Sequence, residues 1–110
     1  MKDLEKFMQV VTNNEFVEGH EVIEDQWKIW KKIPELKEES LILKGLINGS
    51  TALALKVKGR DDPANRVWKT FEKYSPLIDS VDSQFTPMYK KARELLHQKY
   101  ELFFNKKLDL

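Results

Sequence analysis

Cysteine is absent from the 110 residues. That excludes a disulfide framework, a thiolate zinc site and a cysteine nucleophile. Glycine and proline are scarce, four of each, which excludes collagen-like and low-complexity material. An excess of either charge is also missing. Nineteen basic against eighteen acidic side chains leave a net charge of +1, so a basic nucleic-acid footprint is absent and no nucleic acid is expected as partner. The longest apolar stretch, Leu41 to Val57, contains Lys44, Asn48 and two glycines. A spanning helix needs ~20 largely apolar residues, so no membrane is expected either. The opening Met1-Lys2-Asp3-Leu4-Glu5-Lys6 has no signal-peptide core, and a cytoplasmic protein is expected.

What is present is helical. At 41% hydrophobic and 34% charged, the chain has the apolar content for one core, and residues 1–110 are expected to form a single helical domain. Leu4, Phe7, Met8 and Val11 mark one face of a first helix over about residues 2–12, which Asn13-Asn14 ends. A second helix is predicted from Phe16 to Ile33, stopped by Pro34. Its seam is Phe16, His20, Ile23, Trp27 and Trp30, at steps of four, three, four and three. Acids cluster at its start and lysines at its end, as the helix dipole favours. A third helix should run from Pro34 or Leu36 to Lys58, with Gly59 as its stop. It is apolar nearly all round and is therefore the buried, central one. Gly45 and Gly49 share a face there, and Trp27 or Trp30 of the second helix is expected to fill that slot.

Asp62-Pro63 predicts a fourth helix with the stripe Val67, Trp68, Phe71, Tyr74. A short turn is expected at 76–80. Thr86-Pro87 predicts a last helix with Met88, Ala92, Leu95, Leu96, Lys99 and Phe103 inward, Tyr89, Tyr100 and Leu102 flanking, and a tail from Asn105 to Leu110 that frays. The fold class is an all-α, compact bundle of about five helices around a buried third helix.

One constellation stands out. His20 and Glu24 are four apart and hence neighbours on an unbroken helix, with Glu21 beside them. A carboxylate so placed can orient an imidazole and raise its pKa. It can equally be the structural partner that a buried histidine requires. Metal patterns fail at named positions. The zincin step needs histidine where Glu24 stands, and the di-iron bundle needs a second Glu-x-x-His, for which Val17 stands in place of the glutamate ahead of His20. The pair that does exist, Glu94 and His97, reads with Glu101 as a surface ion-pair set. No metal and no cofactor is expected. No phosphate-cradling glycine loop and no nucleophile elbow is present.

The run His20-Glu21-x-x-Glu24-x-x-Trp27, followed by Gly45-Leu46-Ile47-Asn48 on the next helix, resembles the signature of a small prokaryotic family catalogued as domain of unknown function 309. Asn48 stands where that family usually has Gln, and Leu55-Lys56 stand where relatives often have Tyr-His. The resemblance covers about residues 13–96. It implies a cytoplasmic all-helical bundle with no established activity, and it marks His20, Glu21, Glu24, Trp27 and Asn48 as a candidate binding or structural polar cluster. Two functions follow. In one, the chain is a non-enzymatic interaction or scaffold module with His20, Glu24 and Trp27 as a buried polar lock. In the other, those five residues line a pocket for a small ligand or for acid–base, even metal-assisted, chemistry. Access of solvent to His20 separates them. The partner, small molecule or protein, and the oligomeric state are not encoded in any motif.

Overall fold

The computed structural model describes residues 1–104. Seven α-helices follow one another: α1 (Lys2–Thr12), α2 (Phe16–Val22), α3 (Glu24–Trp30), α4 (Lys37–Val57), α5 (Asp61–Tyr74), α6 (Leu77–Ser80) and α7 (Thr86–Phe103). A 3₁₀ turn at Pro34–Leu36 leads into α4. No strand occurs among the described residues, and the chain is an all-α bundle. Among the described residues no helix is long and apolar enough to cross a membrane.

The central helix is the one the apolar run predicts. α4 carries ten buried residues and packs on α2, α3, α5, α6 and α7. α1 closes the bundle against α2 and α7 through Leu4, Phe7, Val10 and Val11. Its end is set by Asn14, which takes a left-handed φ of 64° that asparagine tolerates. Lys99 of α7 holds that turn, donating to the Thr12 carbonyl at 3.1 Å and to Asn14 Oδ1 at 2.7 Å. Gly59, at φ 78°, ends α4 as predicted from its lack of a Cβ. The predicted fraying of Asn105 to Leu110 lies outside the described residues.

Four expectations need correction. The predicted second helix is two. It breaks at Ile23 (φ −104°, ψ 6°), whose side chain is fully buried. Seating that side chain in the core outweighs continuing the helical hydrogen bonds at one residue. The two glycines of α4 do mark a close approach, but the neighbours are α5 and, at Gly49, Leu96 of α7 as well, not Trp27 or Trp30. A Cβ on Gly45 would stand 3.2 Å from Tyr74 Cβ, and one on Gly49 would stand 2.9 Å from Leu96 Cδ1 and 3.4 Å from the Phe71 ring. Tyr89, expected on the flank of α7, is its largest fully buried side chain. Neither Asp62 nor Thr86 caps its helix. α5 begins at Asp61, and the Thr86 hydroxyl is buried without a partner among the described residues.

Candidate functional site

The site is built where α2 crosses α4. Gly19 makes the crossing possible, because a methyl there would collide with Ser50 Oγ and press on Val11. Ser50, fully buried, donates to the Phe16 carbonyl at 2.7 Å and ties the two helices together. A buried hydroxyl so satisfied contributes about 1 kcal/mol net, and an orphaned one would cost more.

This contact carries the next residue, His20, to the rim of a hollow of about 190 Å³ lined by Val17, His20, Thr51, Ala54, Leu55 and Lys58. A second hollow of about 140 Å³ adjoins it and shares Val17, Ala54 and Lys58, with Asn14, Glu15, Phe16, Glu18 and Val57 completing its wall. The two form one groove along α2 and the C-terminal half of α4. Its surface is mainly aliphatic. Val17 is 42% exposed and Val57 59%, large values for side chains of this kind.

His20 is half-buried, and among the described residues its ring makes no hydrogen bond or ion pair. The expected lock with Glu24 is therefore not formed. The break at Ile23 is the physical reason, since the four-residue pairing holds only along an unbroken helix. Glu24 is half-buried and Glu21 exposed, and neither lines the groove. Trp27 is half-buried on the edge of the core with the Lys31 ammonium 4.3 Å from its ring centre. Asn48 spends its amide on the Lys44 carbonyl of its own helix, at 2.7 Å. Of the five residues marked in the sequence, the structure thus brings only His20 to the hollow. No cluster of three His, Asp or Glu side chains suited to a metal ion forms among the described residues.

A polar lock does exist, at the other end of α4. Glu39 Oε1 accepts from the Tyr89 hydroxyl and from Ser83 Oγ, both at 2.6 Å, and Ser83 Oγ accepts the Phe85 N–H at 3.0 Å. Burial, and then the hydrogen bond to Glu39, push the Tyr89 phenol far above its usual range. These three residues stand 44 and 50 apart along the chain, and no spacing announces them.

The remaining titratable cluster lies on α7. Lys90, Lys91, Arg93, Glu94 and His97 border a hollow of about 420 Å³ walled by that one helix. Arg93 is already committed, forked onto Asp79 at 2.7 and 2.9 Å, and it holds the Asp79 carboxyl below its usual range. His97 is exposed, and its ring stands edge-on to Trp68 at 5.8 Å.

Fold and site together define an all-α bundle with an apolar surface groove and a single unpartnered histidine at its edge. Compared with known proteins, the chain matches no family model, no curated protein and no solved structure.

Proposed function

We propose that the protein is a non-enzymatic interaction module that holds a partner in the α2–α4 groove. The observation that carries this reading is the groove itself. It is open, aliphatic on both walls, and bordered by Val17 and Val57, whose exposure is unusual for their type. Division of the groove separates this from a ligand pocket. Small-molecule sites are single concavities of roughly 300–1,000 Å³, which neither hollow reaches alone. The hollow at His20 offers about 190 Å³ and its neighbour about 140 Å³, room for one partner side chain each. Two adjoining hollows suit two successive apolar anchors of a docked segment. His20 supplies one hydrogen-bonding point at the rim.

One observation favours the alternative, a small-ligand or acid–base site: the unbonded ring of His20. Against it, Glu21, Glu24, Trp27 and Asn48 lie outside the hollow, so the imidazole lacks the carboxylate that would orient it. Kinship with domain of unknown function 309, and with it a prokaryotic cytoplasmic setting, belongs to the same proposal. It rests on the His20–Trp27 and Gly45–Asn48 segments.

Isobutanol, a surrogate for a leucine side chain, tests the reading by carbon-13 methyl and histidine NMR. Saturable shifts confined to Val17, His20, Ala54, Leu55 and Val57 are expected. Shifts spread evenly over exposed apolar residues such as Ile29 and Leu102 would refute the groove as a docking surface.

A further inference from the structure

Charge on the two walls of the groove is sorted. On the α2 wall, Glu15 and Glu18 line the second hollow and are both exposed. On the α4 wall stand Lys58, which borders both hollows, and Arg60 just beyond it, both exposed. None of these four makes an ion pair among the described residues. The nearby Lys56 does, at 3.1 Å from Asp61, so the free bases at this end are Lys58 and Arg60. Between the rows lie Val17 on the acidic wall and Val57 on the basic wall.

Such a surface is complementary to itself in one orientation. A two-fold axis running along the groove turns one copy over onto the other. It lays the acidic wall of each on the basic wall of its mate, and Val17 of each against Val57 of the other. A two-fold axis across the groove would stack acid on acid and is excluded by repulsion. Closed two-fold pairing through one patch is also the commonest form of self-association.

We propose that the occupant of the groove is a second copy of this chain, paired about a two-fold axis along it. The proposal rests on the groove being a docking surface and adds the identity of the partner. Exposed charges facing one another at the edge give an association that weakens with salt, while the valine contacts do not.

Sedimentation velocity over a concentration series tests it on the full chain. The expected mass moves from 13.0 kDa towards twice that value, and rising salt lowers the dimer fraction. Lys58→Glu faces acid with acid in the dimer and should weaken it about tenfold or more. Adding Glu18→Lys to that variant restores opposite charges across the interface and should recover most of the loss. Val57→Asp should also dissociate the dimer. Its site is exposed, so an unchanged thermal midpoint separates lost pairing from lost folding. Three results would each overturn the proposal: a monomer at every concentration, a dimer indifferent to these variants, or a double variant that fails to recover. A monomer whose groove still takes isobutanol overturns the second copy alone. A groove that ignores isobutanol overturns the docking reading beneath it.

Discussion

Replacing Tyr89 with Phe removes one oxygen and leaves the ring in place. Tyr89 is fully buried, and its hydroxyl donates to Glu39 Oε1 at 2.6 Å. A hydrogen bond to a charged group contributes about 1.5–3 kcal/mol. Glu39 is only half-buried and keeps Ser83, so its carboxylate can rehydrate, and the cost of Tyr89→Phe should fall near the lower figure. Glu39→Ala is the harsher change. It strands a buried phenol with no acceptor, a penalty of about 1–3 kcal/mol beyond the bond itself. The double variant strands nothing, so it should cost less than the two singles added, with a coupling of about 1–2 kcal/mol. Urea unfolding followed by helical circular dichroism resolves this in a domain whose total stability is about 5–15 kcal/mol. The pH dependence gives an independent arm. In the folded chain burial, and then Glu39, hold the phenol protonated well above its usual range. The unfolded phenol ionises near ~10. Above that pH the unfolded state binds fewer protons than the folded one, so stability falls as pH rises. Tyr89's share of the fall is up to about 1.4 kcal/mol per pH unit. Below that pH its contribution is fully present. Tyr89→Phe should remove this share of the alkaline slope. Additive single variants, or an alkaline slope unchanged in Tyr89→Phe, would refute the reasoning.

Three further outcomes follow from the packing. Gly49→Leu drives a side chain into Leu96 and Phe71 and should lower stability by about 1–3 kcal/mol on urea unfolding; an unchanged midpoint would count against the close contact of α4 with α5 and α7. Gly19→Ala forces apart α2 and α4 where Ser50 donates to the Phe16 carbonyl, and a loss of about 1–3 kcal/mol is expected in the same assay, with faster amide exchange in α2. His20→Ala should cost no more than about 0.5 kcal/mol, because the ring is half-exposed and unbonded; a loss above 1 kcal/mol would mean that the imidazole has a structural partner after all.

The sequence's legible features are the ones that a single segment decides. The ends of α1 and α4, the burial of α4 and the close approach at Gly45 and Gly49 follow from period, turn residues and side-chain size. Each can be read without knowing what lies opposite. What spacing leaves open is the choice of neighbour. Gly45 and Gly49 define a slot that any large side chain fits, and α5 takes most of it, with Leu96 of α7 over Gly49, because the short link at Lys58–Arg60 folds α5 straight back along α4. The break at Ile23 has the same origin. The seam from Phe16 to Trp30 is continuous in sequence, with no glycine inside it after Gly19 and no proline before Pro34. A helix straight through Ile23 was the local optimum, and the core contact of one side chain overrode it. That single override separates His20 from Glu24, while the Gly19–Ser50 crossing holds the imidazole at the groove. The polar lock that does form is made by Glu39, Ser83 and Tyr89, which meet only because α7 returns along α4. A histidine–carboxylate pair read from a four-residue step is therefore only as sound as the helix between its two members.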